Sequence, residues 1–129
     1  MVLPDTSIWV DFARHGAGGE AASLRTLLDS GDVATCGPVV AELLAGTQGE
    51  VTEQIWEVLS SLPWAELAPD GWRQVGETAR RLRQGGRKLP LTDIVIATAA
   101  ARAGHALWSL DTDFEHIAAV LGELEVYGG

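Results

Sequence analysis

The chain has 129 residues, 47% hydrophobic and 21% charged, which suits one globular domain (residues 1–129) burying about two-thirds of its unfolded surface. No apolar run reaches the ~18 residues of a membrane span and no basic start precedes an apolar leader, so the expected address is cytoplasmic; the single cysteine, Cys36, excludes an internal disulfide and a cysteine-based zinc cluster. A net charge of −9 argues against a broad nucleic-acid-binding face, yet six of the nine basic residues (Arg73, Arg80, Arg81, Arg83, Arg87, Lys88) fall in "WRQVGETARRLRQGGRK", where local phosphate contact stays open.

In chain order, "MVLPD" reads as a short strand and "TSIWVDFARH" as a helix with Ile8, Trp9 and Phe12 at helical spacing. "EAASLRTLLDSGD" predicts a second helix closed by Gly31, followed by the strand "VATC", in which Cys36 is a small buried hydrophobe. In "GPVVAELLAGT" Pro38 is placed to open a helix and Gly46 to end it. "TEQIWEVLSSL" is a further helix and "PWAELA" a short strand. From Asp70 to Gln84 the spacing predicts a helix that buries Trp72, Val75, Ala79 and Leu82, with Arg73, Arg80 and Gln84 on a polar stripe. "LTDIVIATAAARAG" is a helix without charge from Ile94 to Ala101, hence buried nearly all round. "HALWSL", "DFEHIAAVLG" and "ELEVYG" complete the pattern as strand, helix and strand. Strands interleaved with helices imply a central, mainly parallel sheet covered on both faces, a three-layer α/β/α sandwich.

Several carboxylates fall at telling places on that frame. Asp5 ends the first strand, and Asp111 ends a later one with Asp113 just beyond, and ligands of open parallel sheets collect outside such strand ends. Glu42 flanks the apolar arc of Val39, Val40, Leu43 and Leu44, and Asp93 is the lone charge in the first turn of its apolar helix. Taken singly, each has an ordinary explanation: Asp is a favoured N-cap, and an anion in a first turn gains about 0.3–1 kcal/mol from the helix dipole. The set is harder to explain that way. Two carboxylates ~5 Å apart repel by roughly 3 kcal/mol at an effective dielectric near 20, and a hard divalent cation with oxygen preference would relieve that stress.

"DTSIWVDF", "PVVAELLAG", "LTDIVIATAA" and "LWSLDTDFEHI", in order and spanning essentially the whole chain, resemble the successive motifs of PIN-domain ribonucleases, in particular the VapC-type toxins of bacterial toxin–antitoxin pairs. The resemblance implies a Mg²⁺- or Mn²⁺-dependent endoribonuclease that hydrolyses RNA phosphodiester bonds. It also implies a homodimer silenced by a cognate VapB-type antitoxin, with larger assemblies open. An antitoxin tail would lie over the acids and offer them a cationic side chain. By the same resemblance Asp5, Glu42, Asp93 and Asp111 match the acidic quartet, and Asp113 a further acidic position, all five being candidate metal ligands. Thr6 or Ser7 matches a hydroxyl that steadies the first acid, a helix-start role being the other reading, and Ser109 stands where a threonine is frequent. Pro4 departs from the usual aliphatic residue and removes one ladder hydrogen bond, so the first strand is expected to pair imperfectly there.

The remaining features are secondary. Arg73, Arg80, Arg81, Arg87 and Lys88 are candidate RNA contacts, or equally a solvated helix face. His15, His105 and His116 read as surface or packing residues. The tryptophans (Trp9, Trp56, Trp64, Trp72, Trp108) read mostly as core, with Trp56 or Trp64 alternatively at a protein interface. A phosphoacceptor receiver domain would need a lysine beyond the central acids, and the only one, Lys88, precedes Asp93 and Asp111. A non-catalytic PIN-fold module that binds protein or RNA is the alternative, although such a module would often have lost some of the acids.

Overall fold

Val2, Leu3 and Pro4 are all buried, the mark of a strand covered on both faces. In the computed structural model, which describes residues 1–128, they form β1 (Val2–Pro4). The other strands are β2 (Thr35–Cys36), β3 (Trp64–Ala65), β4 (Ala106–Trp108) and β5 (Glu125–Val126). The helices are α1 (Thr6–His15), α2 (Leu24–Asp29), α3 (Gly37–Ala45), α4 (Gly49–Ser60), α5 (Pro69–Gln84), α6 (Leu91–Ala103) and α7 (Asp113–Val120). Every pairing is parallel: β1 with β4, β4 with β5, β2 with β3. One parallel bridge, Val2 to Val33, joins β1 to the approach of β2, giving the order β3-β2-β1-β4-β5.

Alternation along the strands divides the interior into two cores. Leu3 and Leu107 face one way and pack with Val39, Leu43, Val75, Leu82, Ile94 and Phe114, from α3, α5, α6 and α7. Val2 and Trp108 face the other way and pack with Ile8, Leu24 and Val33, beneath α1 and α2. The three layers expected from the sequence are therefore present. Helix α6 is buried from Ile94 through Ala100, as its uncharged run implied. Among the described residues no helix is long and apolar enough to cross a membrane.

Four expectations are revised. The Pro4 ladder toward β4 is intact: Pro4 pairs in register with Trp108, and the Asp5 N–H donates to the Trp108 carbonyl at 2.8 Å. The missing N–H falls on the other side, toward β2, where pairing shrinks to the single Val2–Val33 bridge. The second helix begins late, at Leu24, because the Asp11 carboxylate takes the Ala21 N–H at 2.9 Å and holds residues 16–23 as a tight loop. Gly19 is required there, since a Cβ would lie 2.6 Å from Asp11 Oδ2.

The third and fourth concern tryptophan. Trp72 is 54% exposed rather than buried. It is Gly71 that faces inward, so close beneath Leu67 and Arg102 that a Cβ would meet them at 2.9 and 3.2 Å, and this turns the next residue outward. Trp56 and Trp64 are exposed as well and meet edge to face at 6.1 Å, leaving Trp108 buried and Trp9 packed at the core margin. Tryptophan is thus mainly a surface residue here, the short edge strand β3 and the outer face of α4 giving no second layer to cover Trp56 and Trp64.

Candidate functional site

The chain runs from β1 toward β2 and β3 on one side of the sheet, and β4 and β5 lie on the other. The switch in strand order lies between β1 and β4, where a crevice forms beyond the carboxyl ends of adjacent strands. Asp5 leaves β1 at that crevice and Ser109 leaves β4 beside it.

Asp5 is 6% exposed, and its side chain is held from the start of α1 and from Ser109 just past β4. Ser7 Oγ donates to Oδ1 at 2.5 Å, Ser109 Oγ to Oδ2 at 2.5 Å, and the Ile8 N–H to Oδ1 at 3.3 Å. Burial lifts the Asp5 carboxyl above its ordinary range, and these donors pull it back without cancelling the shift. The serines also tie the two segments together. Leu110 N–H donates to Ser7 Oγ at 3.1 Å and Asp111 N–H to Ser109 Oγ at 2.9 Å. Ser7, not Thr6, steadies the first acid. Thr6 Oγ1 instead donates to Glu42 Oε1 at 2.8 Å, fixing Glu42 of α3 against the start of α1.

The capping explanation is realised alongside the clustering. Asp5 caps α1 through Ile8, and Asp111 Oδ1 accepts the Asp113 N–H at 2.9 Å at the start of α7. What capping leaves unexplained is Asp93. It stands in the first turn of α6, half-buried, and its carboxylate accepts no side-chain or backbone hydrogen bond among the described residues. Burial first, then the negative charges of Asp111, Asp5, Glu42 and Asp113, push it up to about 6. Four segments distant in sequence thus bring their acids within electrostatic reach of one another.

Among the described residues, no three acidic, histidine or cysteine side chains are closed to the spacing of a formed metal cluster. The donor set nevertheless suits a hard cation. All five groups are carboxylates, Asp93 and Asp113 have no hydrogen-bond donors engaged, and Glu42 and Asp111 each have one oxygen uncommitted. No nucleophilic thiol competes, for burial pushes Cys36 up to about 11. His15 is exposed, while burial lowers the partly covered His105, and neither belongs to the crevice.

The basic residues divide. Helices α5 and α6 run antiparallel, as the contact of Arg102 with Asp70 (2.6 Å) shows. The far end of α5, with Arg80 and Arg81, and the following loop with Arg87 and Lys88 therefore approach the start of α6 that carries Asp93. Arg73 sits toward the opposite end, about 11 Å from Arg80 along the axis, paired with Glu77 at 3.1 Å. It is set apart from the acids. Arg80, Arg87 and Lys88 are exposed and form no ion pair among the described residues.

Two features escaped the sequence. Glu20, in the loop held by Asp11, and Glu115 on α7 line a cavity of about 500 Å³ together with Ser109 and Asp111. On the other flank, α1, α2, α3 and α4 enclose an apolar groove of about 640 Å³, with Trp9, Phe12, Leu43, Val51, Ile55 and Val58 on its walls. Val51 and Val58 are 53% and 41% exposed. Neither could be seen without knowing which helices are neighbours.

Comparison with known proteins gives a consistent result. The PIN domain profile matches residues 2–120. Ribonuclease VapC11 of Mycobacterium tuberculosis is 31% identical over 126 residues, covering 93% of each chain. In the crystal structure of VapBC2 from Rickettsia felis bound to a promoter DNA fragment, the matching chain superposes with a TM-score of 0.74 at 23% identity, covering 98% of both. VapC20 of Mycobacterium tuberculosis, described as a toxin that cleaves the sarcin–ricin loop, superposes with a TM-score of 0.66 at 18% identity, covering 90% of this chain and 94% of that one.

Proposed function

This chain belongs to the PIN-domain family, and on that premise we propose that it is a metal-dependent endoribonuclease, the toxin of a toxin–antitoxin pair. The observation that carries the reading is Asp93, a half-buried carboxylate with no donor of its own, raised by burial and by four other acids. A protein has little reason to retain such stress unless a cation relieves it.

Asp5, Glu42, Asp93 and Asp111 would hold Mg²⁺ or Mn²⁺, with Asp113 beside them. When bound, the ion lowers the pKa of a coordinated water and neutralises charge developing on phosphate oxygens. The protein's own share is orientation. Ser7 and Ser109 fix both Asp5 oxygens, so the first acid cannot rotate away. Thr6 holds Glu42 to the same crevice. Asp93 is deprotonated at neutral pH yet more basic than an ordinary carboxylate, and so a stronger oxygen donor. Arg80, Arg81, Arg87 and Lys88 would meet phosphates flanking the scissile one, supplying locally the positive charge the chain lacks overall.

The apolar groove is the surface for the antitoxin. The matching chain of the Rickettsia felis VapBC2 complex has this fold, and a groove walled by Trp9, Phe12, Val51 and Val58 suits the apolar face of a partner helix. Leu43 and Gly46 place the groove on the helix that carries Glu42, so a segment leaving it could continue to the acids with a cationic residue. A homodimer in the cytoplasm belongs to the same proposal. Cleavage of a mixed RNA pool with Mg²⁺ or Mn²⁺ tests the reading: wild type should cut, and Asp93→Asn should lose roughly 100-fold or more. Full activity in the folded variant would discard the assignment of these acids, and no cleavage by wild type with either metal would leave a non-catalytic binding module in its place.

A further inference from the structure

The cavity of about 500 Å³ beyond β4 and β5 shares Ser109 and Asp111 with the acids but differs from them in character. Its base is the buried pair Trp108 and Phe114. Tyr127 closes one side, its N–H bonded to the Leu107 carbonyl at 2.7 Å and its ring edge-on to Trp108 at 5.2 Å. Leu110 and Val126, 40% and 42% exposed, are among the large apolar side chains this protein leaves uncovered, and both border the cavity. Glu20 and Glu115 add carboxylate oxygens, and among the described residues no basic side chain lines it.

That combination does not suit a phosphate. It suits a flat, uncharged group with N–H donors on its edge. Unpaired RNA bases are held in this manner, stacked on an aromatic ring and bonded along the Watson–Crick edge. Because Asp111 borders both regions, the occupant's phosphate would lie at the acids while its base enters the cavity.

Resting on the ribonuclease reading, we propose that this cavity is a nucleobase subsite that takes an unpaired base next to the scissile phosphate. Tyr127 and Leu110 form the stacking surface, and Glu20 or Glu115 accepts N–H groups from the base. Guanine fits best, since its N1–H and N2 amine are adjacent donors that match one carboxylate. Asp11 is a positioning residue for this subsite, because its bond to the Ala21 N–H holds the loop that carries Glu20.

Binding measured in chelator separates this inference from catalysis. The probes are a short labelled oligouridylate containing one guanosine, and its counterpart with an abasic ribose at that position, followed by fluorescence anisotropy at low salt. Wild type should bind the guanosine RNA about ten-fold more tightly than the abasic one. Tyr127→Leu should bind both equally, at the weaker value, while Tyr127→Phe keeps the preference. Leu110→Ala, an exposed change that leaves the core untouched, should narrow it as well. Equal binding of both RNAs by wild type, or an undiminished preference in folded Tyr127→Leu and Leu110→Ala, would overturn the subsite. Loss of cleavage alone bears on the acids and leaves the subsite standing, since this measurement needs no turnover.

Discussion

Two concavities flank the start of α1 and they are opposites. At its N-terminal end Asp5, Asp93 and Asp111 come within electrostatic reach of one another at a crevice, where burial raises the carboxyl pKa of Asp5 and burial with like charge raises that of Asp93. Along its side, Trp9 and Phe12 face an apolar groove between four helices. The first holds unfavourable electrostatics that a cation would relieve. The second holds unfavourable hydration that an apolar segment would relieve. Seven α-helices and five short strands among the described residues keep both, which separates the chemistry from the surface that would control it.

The two regions should therefore respond independently to substitution. The largest effect belongs to the acids: Asp5→Asn should lower RNA cleavage by about 100-fold or more while leaving the antitoxin interaction measurable in a pull-down. Loss of both together would mean that the regions are coupled or that the variant is unfolded, which circular dichroism decides. In the groove, Val51→Asp should weaken binding of the antitoxin by about 30-fold, the effect of a hot-spot residue, with free-toxin cleavage unchanged. Calorimetry with the cognate antitoxin measures this, and unchanged affinity would move the partner elsewhere.

A smaller effect sharpens the geometry of the crevice. Ser109→Ala removes one donor to Asp5 and the acceptor for the Asp111 N–H. It should reduce kcat by roughly 10-fold with KM little altered, and Ser109→Thr should restore most of the rate. A change confined to KM would place Ser109 in substrate binding instead.

The smallest effect is on stability. Asp93 is raised from 3.8 to about 6, so between those values the folded chain keeps a proton that the unfolded chain has released. Its stabilising share is greatest below about pH 4 and is lost as pH rises through 6. In chelator at pH 8, Asp93→Asn should melt a few degrees (~2–5 °C) above wild type, and the gain should vanish near pH 4. A variant that melts lower at pH 8 would show Asp93 to be stabilised rather than stressed.

Much of this was legible in the sequence where a local rule suffices. The uncharged run after Asp93 announced a buried helix, and acids placed after apolar strands announced the crevice. The roles of Ser7 and Ser109 became clear only with the β1–β4 register, since 102 residues separate the two hydroxyls that clamp Asp5. Trp72 misled because two helical phases fit the same apolar residues, and Gly71, with no side chain to reveal it, selects the other. The groove and the Tyr127 cavity were invisible for a different reason. Each is assembled from residues that look like ordinary core or loop until non-sequential elements are placed side by side.

The sharpest test is a calorimetric titration of the folded protein with Mn²⁺ at pH 8 and pH 5, beside Asp93→Asn. Saturable binding heat in the wild type, weaker at pH 5 because protons compete for Asp93, and near-absent in the variant, is the expected result. No heat and no melting shift in the wild type at pH 8, or equal binding by wild type and variant, would contradict the assignment of this crevice as a cation site.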